Sequence, residues 1–221
     1  MPSSQLHQIS SITNLIVLAN PMSILDIGSG FGKYGVLARE YLELADEIWR
    51  KADWKRQIDC IEAFEDYLSP LHAFVYDRIY IGDAAQIVPT LKDRYDLILL
   101  IDVLEHFDFE VGVKLLNDCL RLANDVVIST PQMFITQNDT FGNPFETHRS
   151  LWGKKHFAQF GQPVFIPDEI SLICFLGPSS ARVKEEILSL KQRVKTQFPY
   201  LRYVVRAIKH FTNLRHKPGQ V

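Results

Sequence analysis

The stretch SILDIGSGFGKYGVL, residues 23–37, decides how the rest of the chain is interpreted. It begins as an apolar run that contains one acid near its end, Asp26, and three glycines follow at alternate positions: Gly28, Gly30 and Gly32. Glycine has no Cβ atom, so it permits a tight turn and lets a ligand approach the backbone closely. The pattern predicts a strand, a glycine loop and a helix, in that order, with a ligand held on the loop.

Apolar runs of strand length alternate with helix-length segments over most of the chain. Continuous apolar runs such as LILLI fit strands that are buried on both faces, as in a parallel sheet covered by helices. The seven predicted strands are residues 23–27, 57–62, 78–82, 95–102, 124–130, 164–167 and 171–177. This alternation predicts an α/β domain: a Rossmann-like, doubly wound, mostly parallel seven-stranded sheet with helices on both faces.

Two longer segments between the strands show helical periodicity. Segment 109–123 has apolar residues at helical spacing, and so does segment 33–49. The apolar positions in the second of these are Val36, Leu37, Tyr41, Leu44 and Ile48. Both segments are therefore predicted to be helices.

The charge distribution divides the chain into two parts. The whole chain has a formal net charge of -2, yet residues 181–221 contain ten Lys or Arg and only two Glu. We expect a domain over residues 1–180, with a helical segment at 1–20, and a basic helical extension over 181–221. One interpretation of such an extension is a pair of solvated helices that pack on the domain. The other is a helix that binds an anionic group, either on a membrane surface or on a phosphate-bearing acceptor.

Composition favours one globular domain in a reducing compartment. Of the 221 residues, 47% are hydrophobic and 23% are charged. The sequence has no apolar run of about 18 residues and no secretory signal at its start. Cys60, Cys119 and Cys174 form no CxxC pair and are predicted to be buried thiols. We expect a cytoplasmic protein, with peripheral membrane contact through the C-terminal helix as the alternative.

The glycine loop departs from the dinucleotide-binding fingerprint. That fingerprint is G-x-G-x-x-G, and Lys33 stands where its third glycine belongs. A carboxylate as close as Asp26 disfavours a pyrophosphate, whereas it favours a ligand that carries an ammonium or hydroxyl group. The sequence of the loop therefore disfavours NAD as the ligand.

The stretch LDIGSGFGKYG resembles the first motif of the class I S-adenosylmethionine-dependent methyltransferases. Later segments are similar to that family's landmarks in the expected order: IDCIEAF to its second strand, IGDAAQI to the segment after the third, and YDLILLIDVLEHF to the fourth strand and the loop beyond. The resemblance covers about residues 20–180 and implies S-adenosylmethionine as the methyl donor. The VLEHF form is common among small-molecule and sugar methyltransferases of this superfamily.

The resemblance also implies which residues bind the donor. Glu62 would accept hydrogen bonds from the ribose hydroxyls. Asp83 would contact the adenine amino group, and Ala84 would lie beside it. Asp26 would order the glycine loop or meet the donor's ammonium group. The complete set of expected donor-binding residues is Asp26, Gly28, Ser29, Gly30, Gly32, Glu62, Asp83, Ala84 and Asp102.

Three residues are candidates for the methyl-transfer chemistry: Asp102, His106 and His148. The first two follow the fourth strand, and His148 lies in a long aperiodic loop, 131–150, that we expect to close over the cleft. A hydroxyl acceptor needs a base, and imidazole titrates in the right range, so the two histidines are rival bases. Glu105 could join all three in a metal site, but their spacing does not require one and no metal is predicted.

The sequence thus predicts O-methylation of a small molecule or a saccharide, with a lipid-linked saccharide among the acceptors considered. Two alternatives stay open: a donor-binding partner subunit without catalysis, and an RNA or protein methyltransferase that uses the basic tail. DVLE occupies the place of the N-P-P-Y motif of amino-methylating enzymes, which disfavours a base or amide nitrogen as acceptor. Residues 1–180 are acidic overall, which disfavours nucleic acid as a partner. The sequence does not determine the oligomeric state.

Overall fold

The computed structural model of the protein describes residues 4–187. The chain divides into two compact units, Met1–Ser180 and Ala181–Val221. Most of the predicted basic extension, including the helix expected to contact a membrane, lies outside the described residues. Within 4–187, no helix has both the length and the apolar character needed to cross a membrane.

Seven strands form a single sheet at the centre of the first unit. They are β1 Ser23–Ile27, β2 Gln57–Glu62, β3 Ile79–Ile81, β4 Tyr95–Ile101, β5 Ala123–Pro131, β6 Val164–Ile166 and β7 Ser171–Leu176. Their order is β3-β2-β1-β4-β5-β7-β6, and β7 runs antiparallel to both of its neighbours while the other pairs are parallel. The prediction of a mostly parallel seven-stranded sheet is confirmed.

Between residues 4 and 179, six α-helices connect or flank these strands, together with shorter 3-10 turns. They are α1 Ile9–Ala19, α2 Lys33–Ala38, α3 Pro70–Val75, α4 Ala84–Ile87, α5 Phe109–Leu122 and α6 Lys154–Phe157. Beyond α2, a π-helical turn, Arg39–Glu43, and a 3-10 turn, Leu44–Asp46, continue the same helical segment. Both predicted helical segments are therefore observed.

The sheet is buried on both faces, which explains why its strands are continuous apolar runs. On one face, alternate residues of β1 and β4 join residues of α5 in a core cluster that includes Leu25, Ile27, Ile98, Leu100, Leu116 and Cys119. The intervening residues Ile24, Leu97 and Leu99 are buried on the opposite face, and α1 contacts both β5 and α2. The three cysteines are buried and free.

The buried face of α2 and its continuation is not the apolar face that the sequence indicates. Tyr41 and Leu44 are 49% and 48% exposed. The inward face carries Arg39 and Glu43 instead, which are 4% and 0% exposed. Charged residues enter a protein interior when partners satisfy them, and the structure supplies those partners.

Glu43 is the centre of a buried ionic network. It accepts hydrogen bonds from Arg39 Nη1 at 3.3 Å and from the Arg56 backbone N–H at 2.8 Å. Arg39 also donates to Asp77 Oδ2 at 2.8 Å and to the Val75 carbonyl at 2.9 Å. The network ties the helical segment to the residues that precede β2 and β3.

The order of the strands marks one position in the sheet where a ligand can enter. From β1 the chain moves outward through β2 and β3, and then returns so that β4 pairs with the opposite side of β1. In open α/β sheets, ligands bind outside the carboxyl ends of the strands at such a switch point. A ligand site is therefore expected at the carboxyl ends of β1 and β4.

Candidate active site

A cleft of about 330 Å³ lies at this switch point. Each of the first four strands contributes a residue at or just after its carboxyl end: Gly28, Glu62, Asp83 and Asp102. Ser29, Gly30, Ala84 and His106 also line the cleft. The volume falls within the range of about 300–1,000 Å³ that is typical of small-molecule sites. Most of the residues implied by the sequence resemblance thus meet in one cavity.

The glycine loop requires glycine for two reasons. Gly28, Gly30 and Gly32 all have positive φ, at 71°, 55° and 83°, a region that other residues rarely adopt. A Cβ atom on Gly28 would also approach Val103 Cγ2 to 2.7 Å. Gly32 caps the N-terminus of α2 and does not line the cleft.

Glu62 fastens the glycine loop to the end of β2. Its Oε2 accepts from the Gly30 N–H at 2.7 Å and its Oε1 accepts from the Phe64 N–H at 3.0 Å. Burial raises the pKa of this carboxyl, and the backbone hydrogen bonds lower it. A carboxylate has about four acceptor positions, so each oxygen retains capacity for a ligand hydroxyl.

Asp26 lies behind the loop and does not line the cleft. Its side chain is buried, and its Oδ2 accepts a hydrogen bond from the Tyr76 hydroxyl at 2.6 Å. Burial raises the pKa of Asp26 to about 6, although the hydrogen bond from Tyr76 lowers it. The Tyr76 ring in turn lies 3.7 Å from where a Cβ of Gly32 would stand. Of the two roles expected for Asp26, this placement suits the ordering of the loop and not direct contact with a donor.

Asp83 and Asp102 are each fixed by hydrogen bonds. Asp83 caps α4, with Oδ1 accepting from the Ala85 N–H at 2.8 Å. Asp102 has a positive φ of 54°, which is strained for a residue with a side chain. Ser129 Oγ donates to its Oδ1 at 2.8 Å and Gln8 Nε2 donates to its Oδ2 at 2.6 Å. Burial raises the pKa of Asp102, and these two hydrogen bonds oppose that shift.

The N-terminal segment forms one wall of the cleft, which the sequence analysis did not predict. Ser4, Lys33 and Tyr34 line the cleft together. Lys33 Nζ donates to the Ser4 carbonyl at 3.1 Å, and the Ser4 and Tyr34 hydroxyls lie 3.1 Å apart. Burial lowers the pKa of Lys33, and the nearby Asp102 carboxylate opposes the shift. No motif in the first eight residues signals this role.

The long loop, 131–150, contributes a further wall of the cleft. Asn143, Phe145 and Glu146 line the cleft, and so does Arg149. Glu146 is buried and accepts from the Tyr67 hydroxyl at 3.1 Å. Four residues of the loop therefore line the cleft that the sequence predicts, and His148 is not among them.

The two candidate bases lie side by side but face different spaces. His106 lines the cleft, and its Nδ1 lies 3.3 Å from the Thr147 carbonyl oxygen. His148 lines a smaller adjoining recess, and its Nδ1 lies 2.8 Å from the Ile135 carbonyl oxygen. Their ring centroids are 5.0 Å apart. Burial lowers the pKa of His106 to about 4, and the neighbouring His148 lowers it further, so the His106 imidazole is neutral at neutral pH.

Glu105 completes a cluster with the two histidines. One potential ligand atom from each of Glu105, His106 and His148 lies within 4.8 Å of the others. Glu105 lines the same recess as His148, and burial raises its pKa well above the usual value. The sequence analysis assigned no metal, yet the structure brings together three of the four residues that it considered for one.

Comparison with known proteins shows what the fold is. No protein-family model and no curated protein sequence matches the chain. The N-terminal domain of EvdMO1, solved in the presence of SAH and D-fucose, is similar with a TM-score of 0.54 and 14% identity, over 78% of this chain and 83% of that domain. An O-methyltransferase family protein from Burkholderia thailandensis is similar with a TM-score of 0.53 and 13% identity, over 76% of this chain. The chain spans 55% of the length of the Burkholderia protein. This likeness shows a Rossmann-like methyltransferase fold.

Proposed function

We propose that the protein is an S-adenosylmethionine-dependent methyltransferase that acts on a hydroxyl of a small molecule or a saccharide. One observation carries the proposal: the glycine loop, Glu62, Asp83 and Asp102 converge in one cleft at the switch point of the sheet. Two similar proteins support it: one is an O-methyltransferase family protein, and the other was solved in the presence of SAH (S-adenosylhomocysteine) and D-fucose.

The cleft suits an adenosine that carries a charged methionine arm. Glu62 would accept the ribose hydroxyls, and Asp83 with Ala84 would meet the adenine amino group. Gly28 and Gly30 line the cleft, and because they carry no side chain a ligand can approach the backbone closely there. When bound, S-adenosylmethionine supplies a methyl group on a positively charged sulfur.

The part of the cleft that the long loop lines suits an acceptor with hydroxyl groups. Asn143, Glu146 and Arg149 offer both donors and acceptors of hydrogen bonds, while Phe145 shields the space from water. His106 lines the same space, and its neutral imidazole has a lone pair available. An acceptor held there would meet a group able to assist loss of its hydroxyl proton.

Glu62→Ala is expected to weaken SAH binding about 10–150-fold. The substitution removes a charged acceptor of ribose hydroxyls, which contributes about 1.5–3 kcal/mol. Isothermal titration calorimetry with SAH measures the change, and Glu65→Ala, which removes an exposed carboxylate from the same segment, is the matched control.

Glu62 also accepts a hydrogen bond from the Gly30 N–H. The melting temperature of the variant is therefore measured as well, to separate loss of the ribose contact from loss of folding. Unchanged SAH affinity in Glu62→Ala would contradict the assignment of the ribose site.

The acceptor class is tested by methyl transfer from isotopically labelled S-adenosylmethionine to a panel of sugars, phenols and amines, read by mass spectrometry. The proposal expects label on oxygen in at least one sugar or phenol. Label on amines alone would contradict a hydroxyl acceptor.

A further inference from the structure

We infer that Glu105, His106 and His148 bind a divalent transition-metal ion at the wall of the cleft, with a coordination position left for the acceptor hydroxyl. The binding site itself rests on the side-chain geometry. Only the role of the ion in methyl transfer rests on the proposed function.

The donor set is one that transition metals use. One carboxylate and two imidazoles offer atoms that all lie within 4.8 Å of one another, so a modest movement brings them around a single ion. Two histidines with one glutamate form the three-ligand catalytic zinc site, which keeps a fourth position open, and a related set binds iron(II). Magnesium prefers ligands made entirely of oxygen, so this set favours zinc or manganese over magnesium.

Both imidazoles are oriented with one nitrogen held and the other available. Nδ1 of His106 faces the Thr147 carbonyl at 3.3 Å, and Nδ1 of His148 faces the Ile135 carbonyl at 2.8 Å. A carbonyl oxygen only accepts hydrogen bonds, so each Nδ1 is the donating nitrogen, and Nε2 is the nitrogen left to bind a metal. This backbone support of the second nitrogen is what metal-binding histidines commonly show.

Glu105 has a buried oxygen with no hydrogen-bond partner. The residue is 3% exposed, and its Oε2 meets no donor among residues 4–187. Burying a carboxylate without a partner is costly, so such a group is normally paired or bound to a metal. A cation held beside the two histidines would meet this requirement.

The backbone fixes the cluster before any ion binds. The N–H groups of Arg149 and Ser150 both donate to the Glu105 carbonyl, at 2.7 and 3.1 Å. Ser150 Oγ donates to the Leu104 carbonyl at 3.2 Å. The segment that carries His148 is therefore fastened to the turn that carries Glu105 and His106, as a preorganised site requires.

The position of the cluster gives the ion a role. His106 lines the cleft, while Glu105 and His148 line the adjoining recess, so an ion bound by all three would lie at the boundary between them. A bound metal lowers the pKa of an oxygen that it coordinates. The acceptor hydroxyl gives its proton to water, and its oxygen forms the new bond to the methyl carbon. The carbon–sulfur bond breaks, and its electron pair stays on sulfur.

The test is titration of the full-length, chelator-treated protein with ZnCl2 and with MnCl2 by calorimetry, without SAH. We expect one site in the wild type, and at least about 100-fold weaker binding in Glu105→Gln and in His148→Ala, because loss of a ligand should cost no less than loss of its supporting residues. His7→Ala, which removes an exposed imidazole in the N-terminal turn, should bind as the wild type does.

Equal affinity of the wild type and both cluster variants would overturn the site. The melting temperature of each metal-free variant shows whether it folds. If Glu105→Gln does not fold, the metal affinity of His148→Ala decides the outcome. SAH titration of the same proteins separates the two claims. Intact SAH binding with no difference in metal binding refutes only the metal site, whereas absent SAH binding in the wild type refutes the proposed function.

Discussion

His106→Ala is expected to lower methyl-transfer turnover about 10²–10⁴-fold while the affinity for SAH changes by less than about threefold. His106 lines the cleft, with Nδ1 held by the Thr147 carbonyl and the other nitrogen available to the reaction. Loss of that nitrogen removes either a proton acceptor or a metal ligand. Neither change touches Glu62 or Asp83, so the donor should still bind. Single-turnover assays with an accepted substrate and SAH calorimetry measure the two quantities.

His148→Ala extends this prediction, because the ring of His148 lies 5.0 Å from that of His106 outside the cleft proper. If the cluster acts as a unit, each single variant and the double variant should lose similar amounts of turnover, since residues that act together are strongly non-additive. His7→Ala controls for the general loss of an imidazole. Full activity in both single variants would remove the cluster from the reaction.

Glu43→Ala is expected to lower the free energy of unfolding by about 3–5 kcal/mol. The carboxylate is completely buried and accepts from Arg39 and from the Arg56 backbone, so its removal leaves two nearly buried guanidinium groups without their shared partner. A loss of this size is a large part of the 5–15 kcal/mol that typically stabilises a domain. Urea denaturation followed by circular dichroism provides the measurement.

Glu40→Ala is the matched control, because it removes an exposed glutamate from the same helical turn. We expect a change of no more than about 0.5 kcal/mol there. Similar small changes in both variants would show that the buried network contributes little to stability.

The strands were predictable because their sequence signal is physical and local. In β1, β2 and β4, apolar runs end where turn formers or charges begin, and the observed bounds fall within one residue of the predicted ones. The switch point follows from strand order, so the residues at the strand ends could be placed in a common cleft before the structure was known.

Other features were not predictable, because they depend on contacts between distant segments. The inward face of α2 and its continuation carries Arg39 and Glu43, whose burial is intelligible only once Arg56 and Asp77 stand beside them. Asp26 follows the expected motif, but its Oδ2 accepts a hydrogen bond from Tyr76, which lies 50 residues further along the chain.

The cluster of Glu105, His106 and His148 illustrates the same limit. Glu105 and His106 are adjacent in sequence, but His148 reaches them only because the loop that carries it hydrogen-bonds back to the Glu105 carbonyl. Hydrogen bonds from a loop to a single carbonyl leave no periodic signal in a sequence. Spacing alone therefore could not distinguish a base from a ligand.

Thermal unfolding of the full chain with S-adenosylmethionine, and separately with NAD, tests the central claim most directly. A ligand at about 100 times its dissociation constant stabilises the native state by about 2.7 kcal/mol, which corresponds to about 5–10 °C for a chain of this size. The account predicts that rise with S-adenosylmethionine and no rise with NAD, since Lys33 replaces the third glycine that a dinucleotide loop requires. A rise with NAD and none with S-adenosylmethionine would contradict it.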